Sequence, residues 1–262
     1  MRARSPLVPR VGLTVGSGLG GVVDAVEDAV VIPTAELPDW PRSTVAGHAG
    51  RLALGTWRGV PVAALAGRIH RYEGYTLDRL TFGVRVMRAL GARTMVFTNA
   101  VGAIHPELRP GDLVLASGHL NFIGRRGLFA PAELPARRAG RVVGETYSAA
   151  LRTALLAAAA AAGVRLRHGV LVAGQGPAYE TAAEIRMAGA IGADVAGMST
   201  AHEVTLAAQL GCEAACLSCV TNRATGLSPE PLTHEEVTEV ADRVAGGLRR
   251  ILEAWLDTLP PA

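Results

Sequence analysis

Short apolar runs that each stop at a glycine-rich or asparagine-bearing turn, with helical rhythm between them, limit the folds open to this chain. Leu13 to Val15 runs into GSGLGG (residues 16–21), and further strands are expected at Thr94–Thr98, Asp112–Ser117, Gly169–Ala173, Asp194–Gly197 and Ala214–Val220. RLALGTWRG and VPVAALAG (51–67) read as a β-hairpin turning at Thr56–Gly59. Leu77, Leu80, Val84, Met87 and Leu90 give one helical seam over Leu77–Leu90, and helices are expected near 147–162, 182–189, 201–209 and 234–256. VVDAVED, after the glycines, reads as weakly helical. Strands spaced by such helices imply an α/β fold: a mostly parallel or mixed twisted sheet covered on both faces. A single domain over 1–262 is expected, with the Gly-, Pro-, Ala- and Arg-rich stretch 123–145 as a long loop, either a lid or a connection. The Ala157–Ala162 run belongs to a helix rather than a linker, because Tyr147, Leu151 and Leu155 form an i,i+4 seam ahead of it.

Composition narrows the chemistry. With 262 residues and 49% hydrophobic content the chain can bury a substantial core, which excludes a disordered charged tail as a description of the whole. All 26 basic residues are arginine, set against 23 acidic ones, for a net charge of +3. Without lysine, Schiff-base catalysis and a P-loop lysine are excluded, and a cationic anion ligand must be arginine or protonated histidine. The small charge surplus, with no basic aromatic-interleaved patch, points away from nucleic acid. Cys212, Cys216 and Cys219, in GCEAACLSCV, read as buried reduced thiols. His105, His119, His168 and His202 are scattered, no HExxH or finger spacing occurs, and no metal is expected. No serine sits in G-x-S-x-G. No apolar run is long enough to cross a membrane, and a cytoplasmic location is the expectation.

The chemistry-bearing residues sit where strands end. Gly16-Ser17-Gly18-Leu19-Gly20 fits an anion cradle or a simple tight turn; it lacks full G-x-G-x-x-G spacing, which leaves a dinucleotide the weakest of three readings. Arg68, His70 and Tyr72 fall at i, i+2 and i+4, so an extended segment would present all three on one face, either to a ligand or to solvent. His48, in AGHAG, is either a loop or gate residue or part of a solvated turn. T-x-x-E recurs as Thr181–Glu184, Thr200–Glu203 and Thr233–Glu236; each reads as a capping box that fixes the chain beside Glu180, Ser199 and His234. FTNAVG (97–102) and CVTNRAT (219–225) each put an asparagine just past a strand, where it can both donate and accept.

Taken in order, GSGLGG, TVAGHAGRL, GRIHRYEGY, FTNAVG, GPAYET, VAGMST, CVTNRAT and THEEV resemble the successive motifs of the trimeric purine nucleoside phosphorylases, from about Val11 to Trp255. That resemblance implies a phosphorylase/hydrolase-like fold and a pentosyltransferase in purine salvage. It would cleave inosine, guanosine and their deoxy analogues with phosphate to free purine and (deoxy)ribose 1-phosphate. It implies phosphate on Ser17, Arg68, His70, the Ala100 amide and Ser199. It implies ribose near Tyr72, Met198 and His234, and purine near Tyr179, Glu180 and Asn222, with His48 on the gate side. His70, Glu180, Asn222 and His234 would carry catalysis, with inorganic phosphate as co-substrate and no cofactor. The related methylthioadenosine phosphorylases carry aspartate where Asn222 stands, which favours 6-oxopurines. A methylthioadenosine-type enzyme, a purine nucleosidase and a non-catalytic nucleoside-binding protein are the alternatives. A homotrimer is implied, with no nucleic-acid or membrane partner. Two departures stand out: residues 100–103 read Ala-Val-Gly-Ala where the family has AAGG, so Val101 and Ala103 add bulk near the cleft. The family's NPLxGPN and FPxMSxAYD blocks are replaced by the 123–145 segment, in which Phe129 is a candidate for the aromatic lent to a neighbouring subunit.

Overall fold

The computed structural model describes residues 3–45, 48, 50–124, 146–228 and 234–260, with 234–236 and 238 described by their backbone alone. Phe129, Thr233 and residues 125–145 lie outside the described residues. The strands are β1 (Val11–Val15), β2 (Glu27–Pro33), β3 (Arg51–Trp57), β4 (Val60–Ala66), β5 (Thr94–Ala103), β6 (Leu113–Asn121), β7 (Leu166–Ala173), β8 (Val195–Gly197) and β9 (Glu213–Arg223). The helices are α1 (Leu77–Leu80), α2 (Phe82–Leu90), α3 (Ala149–Ala161), α4 (Ala182–Ala190), α5 (Ala201–Gln209) and α6 (His234–Leu256). The sheet order is β2-β3-β4-β1-β5-β8-β7-β6-β9, and β5 also pairs with β9, so five strands close into a ring at one end. β3 and β4 form the expected antiparallel hairpin. β4, β1, β5 and β9 run parallel, which gathers their carboxyl ends along one edge.

Alternation along the strands feeds two cores. Ala215, Leu217 and Cys219 of β9 join Val11, Leu13 and Val15 of β1 on the face covered by α3 and α6. Ala214 and Cys216 join Met95 and Phe97 of β5 on the face covered by α2 and α5. The three cysteines are free and buried. Helix α3 buries Leu151, Leu155, Ala158 and Ala159, and Ser148 caps it by accepting from the Leu151 N–H at 3.2 Å. No helix among the described residues is long and apolar enough to cross a membrane.

Four local expectations are corrected. The stretch after Gly21 is a 3₁₀ turn (Gly20–Ala25) followed by strand β2; Ile32 is the strand's only buried residue, so this edge strand carries no alternating signal. The Leu77–Leu90 helix divides at Thr81, whose hydroxyl donates back to the Leu77 carbonyl at 3.0 Å. Asn99 and Asn222 lie inside β5 and β9 rather than beyond them, because both strands run several residues past their apolar cores. Arg68, His70 and Tyr72 do not share one extended strip: the chain is extended at His70 and then turns through a 3₁₀ segment, Arg71–Glu73.

One irregularity aims the site. Val101 pairs with Val220, but Gly102 pairs with Asn222, so Thr221 is an extra residue in β9. Such a bulge re-aims side chains, and here consecutive residues Thr221 and Asn222 both border the same hollow.

Candidate active site

Ser17, Arg68, His70, Tyr72, Ala100, Tyr179, Glu180, Met198, Ser199 and Asn222 all line one cleft of about 120 Å³ at the carboxyl edge of the sheet. At one end, β1 and β4 finish side by side, and the Gly67 N–H donates to the Val15 carbonyl at 2.9 Å, which sets Arg68 beside the Gly16–Ser17 turn. Gly16 packs directly on β5: a Cβ there would stand 3.0 Å from Arg68 Nη1, the Asn99 Cα and the Thr98 carbonyl. The Arg68 guanidinium is buried. Its Nε donates to Glu203 Oε2 at 2.9 Å and its Nη1 to the Thr98 carbonyl at 2.7 Å, while Nη2 has no partner among the described residues. Asn99 is buried with its Nδ2 unpartnered among the described residues, and its Oδ1 accepts from the Cys216 thiol at 3.6 Å. Ser199 Oγ lies 3.1 Å from Thr200 Oγ1. This end therefore presents buried, unsatisfied donors, the condition an oxyanion relieves.

Stacked rings form one wall. His70 lies 5.2 Å from His48 at 27° and 4.9 Å from Tyr72 at 10°. His48 Nε2 is 2.9 Å from Ser17 Oγ, while its Nδ1 meets the Arg68 backbone, so His48 is held against the Ser17 turn. Burial, with His70 and Arg68 nearby, pushes His48 down to about 4 and keeps it neutral near pH 7. Glu73 accepts from the His70 N–H at 2.6 Å. Burial works to raise Glu73, but hydrogen bonds from His70 and Thr44 outweigh it and hold the carboxyl at about 2. Burial beside Glu73 and Tyr179 raises the Tyr72 phenol to about 12, which keeps it protonated.

The opposite end carries groups suited to a heterocycle's edge. Tyr179 stands at the rim, 42% exposed, and burial raises the half-buried Glu180 carboxyl above its ordinary range. Thr221 Oγ1 donates to Asn222 Oδ1 at 2.8 Å, and Asn222 Nδ2 donates to the Arg223 carbonyl at 2.8 Å. Those two bonds fix the amide plane and leave one amide hydrogen and one carbonyl lone pair for a ligand. Between the ends, Gly176 (φ +63°) lets Met198 and Tyr72 close in: a Cβ there would meet Met198 Sδ at 2.5 Å and Tyr72 Cδ1 at 2.7 Å. His234 begins α6, whose next turn brings Val237 to the cleft; the His234 side chain lies outside the described residues. Val101 borders the cleft, whereas Ala103 is packed with Leu108, Val114 and Val220 in the adjoining core and is not among the cleft residues. Among the described residues no three metal-ligating side chains gather.

Residues 10–257 match the Phosphorylase superfamily. Purine nucleoside phosphorylase 1 of Geobacillus stearothermophilus is 42% identical over 254 residues, 97% of this chain and 93% of that protein. The Schistosoma mansoni purine nucleoside phosphorylase solved with inosine superposes with a TM-score of 0.91 at 32% identity, covering 100% of this chain and 94% of that one. Isoform 2 of the Schistosoma mansoni enzyme, solved with cytosine and ribose-1-phosphate, gives 0.90 at 32% identity, with coverage of 100% and 94%. The chain belongs to the purine nucleoside phosphorylase family.

Within this member of the family, sequence reasoning missed several residues of the site. Glu203 reads as a capping glutamate, and the structure corrects this: Thr200 makes no cap hydrogen bond and has φ +75°, while Glu203 turns to Arg68. The same pattern at Thr181–Glu184 does form a reciprocal box, so spacing alone cannot separate the two. Glu73 and Thr221 lie within GRIHRYEGY and CVTNRAT but take no role from the sequence there; each acts by fixing a neighbour, His70 or Asn222. His202, on α5, is wholly buried with both ring nitrogens unpartnered among the described residues, and burial with Arg68 and His70 nearby pushes it down to about 3.

Proposed function

We propose that this chain is a purine nucleoside phosphorylase that cleaves 6-oxopurine nucleosides with inorganic phosphate, releasing the base and a pentose 1-phosphate. The observation that carries the reading is the joining, in one cleft, of a buried arginine with an unpartnered Nη2 to an asparagine amide fixed beside a raised carboxyl. In this reading Arg68, Ser17, Ser199, His70 and the Ala100 amide hold phosphate below the anomeric carbon. The gain is proximity: two reactants are fixed in attack geometry instead of meeting at random. Tyr72 and Met198 pack the sugar, and His234 binds its 5′ end.

As the glycosidic bond lengthens, positive charge grows on the sugar and negative charge on the purine. Phosphate stabilises the first. Asn222 donates to the second, a contact that strengthens as the bond breaks. Tyr179 covers the base, and Glu180 accepts from, or when protonated donates to, its edge. Phosphate is the co-substrate, and no cofactor is invoked. The chain acts as a homotrimer in this proposal; exposed Phe122, Met187 and Ile191 supply apolar surface for subunit packing.

The test is release of hypoxanthine from inosine with and without phosphate, with the sugar product identified. Ribose 1-phosphate formed in step with base, and negligible release without phosphate, is the expected result. Equal rates in phosphate-free buffer with free ribose as product would make the chain a nucleosidase and overturn the reading.

A further inference from the structure

Helix α5 starts with the Thr-x-x-Glu pattern that normally closes on itself, yet both members are diverted. Thr200 Oγ1 lies 3.1 Å from Ser199 Oγ, and Glu203 Oε2 accepts from Arg68 Nε at 2.9 Å. Thr200 adopts φ +75°, a region unfavourable to a β-branched residue, and contributes no cap hydrogen bond. Helix α4 provides the internal comparison, since there the same pattern forms the reciprocal box. A helix start that forgoes its local stabilisation in this way commonly marks a functional constraint.

The Arg68–Glu203 pair is buried, with side-chain exposures of 2% and 4%. Glu203 takes the Nε edge of the guanidinium and the Thr98 carbonyl takes Nη1, so Nη2 is the buried donor left over. A rigid guanidinium fork held on two edges has its remaining edge fixed in direction. A second hollow of about 30 Å³ adjoins the pair, bordered by Trp40, Leu80 and Gly83 as well as by Arg68 and Glu203.

We infer that Glu203 is a positioning residue for the phosphorolytic reaction, holding Arg68 so that Nη2 meets phosphate. This rests on the phosphorolysis reading above. Its job is geometric: the carboxylate accepts one hydrogen bond, and the amide of glutamine can accept the same bond. If Glu203 served only as a countercharge that weakens the field on phosphate, removing its charge would tighten phosphate binding instead.

The experiment measures KM for phosphate and for inosine, each with the other saturating, in wild type, Glu203→Gln, Glu203→Leu and Glu107→Gln. Glu203→Leu should raise the phosphate KM at least tenfold while the inosine KM stays within twofold. Glu203→Gln should fall between Leu and wild type, and Glu107→Gln, on an exposed ion pair with Arg167, should leave both KM values unchanged. Should the Leu protein fail to fold, Glu203→Ala takes its place under the same criteria: a phosphate KM raised at least tenfold with the inosine KM within twofold, and a Glu203→Gln value below it, support the positioning role, and an unchanged phosphate KM in Glu203→Ala overturns it. An unchanged or lowered phosphate KM in Glu203→Gln and Glu203→Leu, or parallel rises in both KM values, overturns the inference. Wild-type release that needs no phosphate would instead refute the underlying reading, so the two failures are distinguishable.

Discussion

Replacing Gly176 by alanine strikes the middle of the cleft without touching any proposed phosphate ligand. Gly176 has φ +63°, where an L-residue with a Cβ pays a conformational penalty of about 1–2 kcal/mol. The new methyl would stand 2.5 Å from Met198 Sδ and 2.7 Å from Tyr72 Cδ1, so one or both side chains must move by most of an ångström. Tyr72 is stacked on His70 at 4.9 Å and has little freedom to yield. A misplacement near 1 Å can reduce a rate about a hundredfold, so kcat/KM for inosine should fall by about 10- to 100-fold. The phosphate KM should change less than about threefold, and Tm should drop by about 2–8 °C from strain. Gly192→Ala is the control, because Gly192 has φ +95° and open space around its Cβ position: it should lower Tm without changing kinetics. Steady-state kinetics at saturating co-substrate, alongside calorimetry, separates the effects. If Gly176→Ala lowers Tm as the control does while inosine kinetics stay at the wild-type level, Tyr72 and Met198 do not hold the sugar.

Three further perturbations probe other parts of the site and the core. Gly16→Ala drives a methyl against backbone at 3.0 Å, which cannot swing aside as a side chain can, and should raise the phosphate KM about tenfold or more with a smaller effect on the inosine KM; equal effects on both would count against an oxyanion at this turn. Asn222→Asp removes the donor and sets an oxygen against the Arg223 carbonyl now 2.8 Å away, so inosine turnover should fall about a hundredfold while the adenosine-to-inosine kcat/KM ratio rises; an unchanged ratio would contradict the role given to Asn222. His202 titrates at about 3 when folded and near 6.5 when unfolded, so the unfolded chain takes up the proton first. Stability is therefore full above pH 6.5 and falls progressively as pH drops toward 3. His202→Leu should flatten that acid limb in urea titrations at about pH 7, 5 and 4, and retention of the wild-type slope would show that another group is responsible.

Much of the site was legible because parallel strands deliver their ends to one edge. Ser17, Arg68, Ser199 and Asn222 sit at or near strand ends that the apolar runs already marked, and the parallel order of β4, β1, β5 and β9 brings several of them together. What escaped detection depends on tertiary register rather than local pattern. The bulge at Thr221 arises from pairing with β5, which no single segment encodes. Glu203 looks identical to Glu184 in sequence and differs only because Arg68 lies across from it. Edge strand β2 has one buried side chain and so lacks the alternation that reveals a half-buried strand.

A crystal structure with phosphate and an uncleavable carbon-linked analogue of inosine would decide whether this single cleft unites anion and nucleoside. Phosphate is expected on Ser17, Arg68 Nη2 and Ser199, with the base between Tyr179 and Asn222 and a phosphate oxygen within about 3.5 Å of the anomeric carbon. Phosphate and nucleoside bound in separate hollows, or a nucleoside whose anomeric carbon faces away from Arg68, would be incompatible with phosphorolysis in this cleft.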